Sequence, residues 1–354
     1  MKILMLVNWK IEYCDEKPKD KQPPDYLVRG EDYWFFRYFK EKPEVDVVDV
    51  RSFPWLEHFE KEKLRFYIWQ TLRVLPKLGR YDLIVSHGMQ SGVVISLWRR
   101  LFKTKAKHIV FDIGSFNSAS ESGIALRLTQ FASKSIDGLI YHTSSQRDYY
   151  AKYFPWIVEK SRFIRFGTDL ELFSMSPATK TDPEDPYILC VGFAWRDRNT
   201  LVEAFKKINT RVKLLFVGHV DPRYADVPGI EQMPRVPVTE MIRQIRAAEF
   251  CVLPLVSYNY SYGQMTLLQQ MALGKCVIAA RVPSLVDYVE DGKTAIFYEP
   301  ENAQDLAGKM AAVLEAPEAY EAMPQRAWEW MQKTCNEKIM ASEIEVFYND
   351  IMKR

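Results

Sequence analysis

Apolar residues along this chain fall into short runs, separated by longer segments in which they recur every three or four positions. The first runs are KILMLV (2–7), VDVVDV (45–50), DLIVS (82–86), HIVFDI (108–113) and GLIYHT (138–143), with helical spacing across 57–79 and 121–135. Strands this apolar, alternating with helices, predict a parallel sheet covered on both faces. After a polar, proline-bearing stretch (PATKTDPEDP, 177–186) the rhythm restarts with YILCVGF (187–193), VKLLFVG (212–218), FCVLPLV (250–256), CVIAA (276–280) and AIFYE (295–299). The pattern predicts an α/β protein of two doubly wound, Rossmann-like domains facing a cleft. Residues 1–165 form the first domain and 166–335 the second. The stretch 318–354 reads as helical, with Trp328, Trp330, Ile344 and Phe347 as packing residues, and 336–354 as a helix returning to the first domain.

Composition narrows the class. The 354 residues are 47% hydrophobic and 27% charged, enough apolar material for two cores and too little bias for a disordered chain. Five cysteines, odd in number and widely spaced, argue against a disulfide framework or a zinc cluster and fit a reducing cytosol. KILMLV is too short for a signal peptide and no window reaches a membrane-spanning length. The net charge of +2 conceals a bias: residues 51–110 hold 12 basic against 4 acidic side chains. That is either a solvated face or a surface for an anionic partner. No helix-turn-helix or zinc-finger motif accompanies it, so nucleic acid is not expected. The segment VVISLWRRLFKTKAK (93–107), apolar and then basic, is either a core-packed helix with a solvated end or a helix laid on an anionic membrane surface. Aromatics at 33–39 either line a binding site or are buried packing.

In doubly wound sheets ligands bind beyond the carboxyl ends of the strands. Asn8, His87, Asp112 and His142 stand there in the first half, and Arg196, His219 and the segment after Pro254 in the second. VGFAWRDRNTLVEAF (191–205) places Arg196 and Arg198 at a helix start, a combination suited to a phosphate or diphosphate, or a solvated loop in which Asp197 neutralises an arginine. Ser261, Tyr262, Gly263 and Gln264 precede a further helix beginning near Met265 or Thr266, where small residues let backbone amides approach an anion; Gln269 lies one turn into it.

Taken in order, FGTDLELF (166–173), VGFAWRDRNTLVEAF, LLFVG, RAAEFCVLPL and LLQQMALGKCVIAARVPSLVDYVEDGKTAIFYEPENAQDLA resemble the C-terminal domain of family 4 retaining glycosyltransferases of the GT-B fold. The resemblance covers about residues 160–315. It implies that Arg196 contacts the donor diphosphate with Arg198 beside it, that Gly192 and Gly218 let the backbone approach the nucleotide sugar with His219 following, and that residues 262–266 (Tyr262, Gly263, Gln264, Met265, Thr266) cradle the phosphates and the transferred sugar. Ser261 and Gln269 stand where the family has the two acids of its Glu-x7-Glu element, so both acids are missing. Phe193 replaces the basic residue common after the glycine. Asp112 falls at about the position of a histidine near the acceptor; it either positions the acceptor hydroxyl, with Gly114 and Ser115 shaping the pocket, or caps a neighbouring turn.

The expected activity is transfer of a sugar, with retention, from a nucleotide-diphosphate donor (a UDP- or GDP-sugar) to a hydroxyl of a saccharide or lipid-linked glycan in polysaccharide assembly. It is expected to need no cofactor or metal, and to occur in the cytoplasm or peripherally on the inner face of the membrane. The histidines show no ligand spacing. The alternative, motivated by the two missing acids, is a catalytically weak relative that binds nucleotide sugar or a partner protein. A nicotinamide oxidoreductase would share the architecture, but the first strand leads into NWKIEYC instead of a glycine fingerprint.

Overall fold

The computed structural model describes every residue except Arg65, Lys103, 117–120, 176–184, Phe193 and Asn209. Most of the proline-bearing stretch and the Phe193 substitution therefore lie outside the described residues.

Each half of the chain builds one six-stranded parallel sheet. In chain order the strands are β1 (Lys2–Leu6), β2 (Glu12–Cys14), β3 (Tyr26–Val28), β4 (Glu44–Val48), β5 (Leu83–His87), β6 (Lys107–Asp112), β7 (Gly138–Tyr141) and β8 (Ser161–Phe163). The second half continues with β9 (Tyr187–Val191), β10 (Lys213–Val217), β11 (Ile230–Met233), β12 (Cys251–Leu253), β13 (Val277–Ala280) and β14 (Ile296–Tyr298). The orders are β4-β1-β5-β6-β7-β8 and β11-β10-β9-β12-β13-β14. All ten apolar runs are strands, and the central ones, such as Ile3–Leu6 and Leu83–His87, are buried throughout because helices cover both faces.

This order fixes where ligands can enter. In both sheets the first strand has its successor on one side and a later strand on the other, so the crossovers diverge and open a crevice at the strand ends. In the first domain that crevice lies between β1 and β5, where Asn8, Trp9 and His87 emerge; in the second it lies between β9 and β12, where Gly192 and Pro254 follow.

The chain passes between the domains twice, and the two passages run side by side. Thr168 N–H donates to the Cys335 carbonyl (3.1 Å) and Glu337 N–H to the Thr168 carbonyl (3.0 Å). Gly167 leaves no room for a side chain here, since a Cβ would lie 2.4 Å from the Asn336 backbone. Beyond this point the helix Glu337–Lys353 places Met340, Ile344, Phe347 and Tyr348 in the core of the first sheet, with Ile3, Phe35 and Ile140. Trp328 and Trp330 pack instead against the second core. The aromatics of 33–39 are largely buried packing, though Trp34 also reaches the cleft.

Arg37 ties both passages to the first domain. Its guanidinium donates to Asp169 (2.7 Å) and to Glu337 (2.6 Å), and Trp34 Nε1 donates to the same glutamate at 3.0 Å. Burial outweighs the attraction of Arg37 and pushes the Glu337 carboxyl up to about 7. Removing the cation strands two buried carboxylates, so Arg37→Met is expected to cost about 3–5 kcal/mol in urea unfolding. The folded protein keeps the Glu337 proton up to about pH 7, whereas an unperturbed glutamate releases it near 4.5. This group therefore lowers stability as pH rises between those values, and Glu337→Gln should remove that component of the pH profile.

Candidate functional site

Between the domains lies a cavity of about 860 Å3. The second domain contributes Gly192, Gly218, Thr266 and Gln269 to its wall, and the first contributes Trp9, Lys21, Gln22 and Asp25. A second cavity of about 360 Å3 shares Trp9, Asp25 and Met265 with it, and also touches Asn8, His87, His142, Ser261, Tyr262, Gly263 and Gln264. The cleft thus has two chambers that meet at Asp25 and Met265.

Two glycines make the wall of the large chamber. Gly192 and Gly218 have φ of 92° and 122°, and a Cβ on Gly218 would lie 3.3 Å from the Gly192 Cα. Side chains here would drive β9 and β10 apart where a ligand must approach the backbone. A Cβ on Gly192 would also meet the Arg196 guanidinium at 2.7 Å.

That guanidinium is anchored without a counter-ion. Arg196 Nε donates to the Val191 carbonyl (2.9 Å) and Nη2 to the Thr266 hydroxyl (3.0 Å), so it stands behind the Gly192 and Thr266 wall of the large chamber without lining it. Arg198 is buried and donates to the carbonyls of His219 and Gly192, both at 3.2 Å. Among the described residues neither arginine has a carboxylate within 4.0 Å. Burial, with a smaller contribution from Arg198, lowers the Arg196 pKa. Asp197 neutralises neither arginine; it caps the helix Arg198–Lys207 by accepting from Thr200 N–H (3.1 Å). Both arginines line a separate pocket of about 360 Å3, with exposed His219 and Arg223 and the acids Asp197 and Asp221, and His219 does not line the large chamber.

With Asp197 capping the earlier helix, the open helix start in the cleft is that of Gln264–Ala272. Gly263, at φ 84°, turns the chain into it, and no side chain caps it. Its first residues lie where the two chambers meet, and its first-turn amides, which have no intrahelical acceptor, suit an anion. Tyr262 is tied down by its hydroxyl to the Val256 carbonyl.

The remaining expected residues are engaged across the domains. Ser261 bonds Thr143 (2.8 Å) and Gln146 (3.0 Å), and Gln264 donates to Thr143 at 3.1 Å. Gln269 donates to Gln22 at 2.7 Å, while Gln22 reaches Met265 sulfur at 3.5 Å. The positions where the resemblance expects two acids therefore hold a neutral domain contact and a neutral amide pair.

Asp112 departs from its acceptor reading. It is fully buried and its carboxylate accepts from Gly114 N–H (2.7 Å), Ser115 Oγ (3.0 Å), Phe116 N–H (3.4 Å) and Tyr150 Oη (2.6 Å). It touches neither chamber and serves as a turn anchor, holding Gly114 against the Tyr260 ring of the other domain. The strand-end histidines do reach the small chamber, and burial lowers His87 to about 3 and His142 to about 4, so both are neutral at pH 7.

Sequence reasoning passed over Trp9, Gln22 and Asp25. The last two lie on a charged segment between β2 and β3 without periodicity; its one signal is the Pro23-Pro24 pair preceding Asp25. Among the described residues no three potential metal ligands converge.

Comparison with known proteins agrees with this geometry. Residues 185–316 match the family described as glycosyl transferases group 1. The chain is 26% identical over 272 residues to a D-inositol 3-phosphate glycosyltransferase of Pseudarthrobacter chlorophenolicus, covering 68% of this chain and 64% of that protein, just under two thirds of its length. It is 29% identical to the enzyme of the same name from Corynebacterium glutamicum, over 76% of this chain and 72% of the relative. In fold, it is similar to a sucrose-phosphate synthase from Thermosynechococcus elongatus, with TM-score 0.71, 19% identity and 100% of both chains covered. Anabaena HepE in complex with UDP gives TM-score 0.70 at 14% identity, covering 99% of this chain and 100% of that one. With its paired parallel sheets facing a cleft, the chain has the GT-B fold, and the segment that matches the group 1 glycosyl transferases, residues 185–316, supplies the second-domain wall of that cleft.

Proposed function

We propose that this protein transfers a sugar, with retention, from a nucleotide-diphosphate donor to a hydroxyl of a saccharide or lipid-linked glycan, without a bound divalent metal. The observation that carries the reading is the pair of guanidiniums without counter-ions, Arg196 and Arg198, behind Gly192 and Thr266 at the wall of the large chamber. A departing diphosphate supplies the missing negative charge, and the open amides of Gln264–Ala272 lie beside it. The acceptor oxygen bonds to the anomeric carbon as the bond to the phosphate oxygen breaks. The electron pair leaves with the diphosphate, whose oxygen then takes the acceptor proton. No side-chain nucleophile is needed. A UDP- or GDP-sugar is the proposed donor; UDP-glucose is the ligand of the similarly folded HepE.

A second reading, donor or partner binding with weak transfer, is favoured by the engagement of Ser261 and Gln269 in neutral contacts. Thermal-shift screening against UDP-, GDP-, ADP- and dTDP-sugars, followed by turnover of the stabilising donor, separates the two.

The proposed location is the cytoplasm, peripherally on the inner face of an anionic membrane. No helix among the described residues is long and apolar enough to cross one. The helix Met89–Leu101 is core-packed through Val93 and Ile95, yet ends in exposed Leu101 and Phe102 beside Arg100, whose guanidinium lies 4.8 Å from the exposed Phe131 ring. Trp55, 71% exposed, adds a further apolar side chain on the same basic domain.

Arg196→Ala is expected to lower kcat about 10²–10³-fold, the scale of losing one preorganised donor to transition-state charge; unchanged kinetics would remove the diphosphate assignment. Turnover should persist in excess chelator, and strict magnesium dependence would contradict the metal-free scheme. Vesicles rich in anionic lipid should bind the protein at low salt and release it as salt rises, with weaker binding for Trp55→Ser; absence of low-salt binding ends the membrane proposal.

A further inference from the structure

The segment 15–25, between β2 and β3, crosses from the first domain to the large chamber on few ties. Asp20, Lys21, Gln22 and Asp25 line that chamber together with Gly192, Gly218 and Thr266 of the second domain. No residue of 15–25 packs in a hydrophobic core. At its root it is held firmly, since the Pro24 carbonyl accepts from Trp9 Nε1 (3.2 Å) and Tyr33 Oη (2.8 Å). Its ion pairs, Lys17 with Glu31, Lys21 with Glu12 and Asp15 with Arg29, all stay within the β2–β3 unit.

Among the described residues three hydrogen bonds tie it to the second domain. The Asp20 carbonyl accepts from Val238 N–H (3.0 Å), the first amide of the helix Val238–Ala247, which no side chain caps. Gln22 Oε1 accepts from Gln269 Nε2 (2.7 Å), and Gln22 Nε2 donates to the Met265 sulfur (3.5 Å). Arg235 of the second domain also draws on the Asp25 carboxyl, as Lys21 does, against the larger effect of burial. A segment rooted at one end and joined across the gap by polar contacts alone opens at little cost.

The Gln22–Gln269 pair is half made. Two primary amides can exchange two hydrogen bonds, but here one is present, and Gln22 Nε2 turns instead to a thioether, a weak acceptor. Gln269 is buried, and among the described residues its Oε1 accepts no hydrogen bond. The pair therefore offers one carbonyl oxygen and one N–H, the complement of two neighbouring hydroxyls. Gln269 lies about one turn beyond Met265 and Thr266, on the helix whose open start lies beside the proposed diphosphate. In a nucleotide, the group next to the diphosphate is the ribose.

We propose that 15–25 is a lid over the donor nucleotide, and that Gln22 on this lid binds, with Gln269, the two hydroxyls of the ribose. This rests on the transferase reading. A carboxylate at 269 accepts from both hydroxyls by itself; the glutamine has one acceptor oxygen, and Gln22 supplies the second contact as a donor. The diol is gripped fully only when the lid is down, so donor binding and closure stabilise each other.

Calorimetric titration of the protein tests this. Of UDP, GDP, ADP and dTDP, the one giving the largest melting shift is compared with its 2′-deoxy and 3′-deoxy forms. The wild type is expected to bind the ribonucleotide about tenfold tighter than either deoxy form, the loss of one hydrogen bond in each case. Gln22→Ala should lose the discrimination against one deoxy form and keep the other, which Gln269 maintains. Trypsin reads the lid: saturating ribonucleotide should slow cleavage after Lys19 and Lys21 about tenfold in the wild type, and by less in Gln22→Ala. A largest shift from dTDP, equal binding of ribo and deoxy forms, or ratios unchanged in Gln22→Ala overturns the ribose assignment and leaves the transferase reading standing. Cleavage as fast with nucleotide as without it overturns the lid. No shift with any of the nucleotides removes the transferase reading, and this inference with it.

Discussion

One guanidinium holds the two halves of this protein in register. Arg37 contacts Asp169 just after the chain first leaves the first domain and Glu337 just as it returns, so both passages are clamped to the same short aromatic segment. One cation between two carboxylates cannot neutralise both, and burial leaves Glu337 with a raised pKa. The clamp lies next to the cleft: Trp34, which donates to Glu337, is also a wall of the small chamber. Domain docking and the shape of the cleft are therefore set by the same side chains, and neither can change without the other.

From that docking follows the division of labour in the cleft. The second domain brings backbone and cations: two glycine-ended strands, an uncapped helix start and two arginines without counter-ions. The first domain brings aromatic surface, the cations Lys10, Lys21 and Arg51, and the Asp25 carboxylate on the segment between β2 and β3. This segment crosses the gap, where the Asp20 carbonyl accepts from Val238 N–H at 3.0 Å and Gln22 meets Gln269. An anionic leaving group suits the first set.

The sheet architecture was legible because buried parallel strands are written as apolar runs, and each such run became a strand. β8 and β11 were not, since as edge strands of three and four residues (SRF and IEQM) they bury too little to leave an apolar signature. Among site residues, those adjoining strand ends and helix starts could be placed: Gly192, Gly218, Thr266 and Gln269 all reach the large chamber. Arg196 was expected in it and instead stands behind its wall. Asp112 shows the limit of position alone. It ends a strand as expected, but its neighbours Gly114, Ser115 and Phe116 turn back onto it and consume the carboxylate, and this depends on a loop conformation that residue type does not specify. Asp25 was invisible for the converse reason, since its place at the junction of the chambers comes from a non-periodic segment positioned by contacts far away in sequence.

The missing pair of acids gains a physical meaning from these contacts. An acid at 261 would have to replace the hydroxyl that now bonds Thr143 and Gln146, putting charge into a domain contact built from neutral groups. At 269 an acid would lose the donor that meets Gln22 and would require the Gln22 amide to turn over, giving up its contact with the Met265 sulfur. The neutral residues at these positions therefore suit a closed cleft. The one carboxylate at the junction of the chambers then comes from the opposite domain, as Asp25. Its geometry relative to the donor half is set by domain closure, so closure itself becomes a condition for assembling the site.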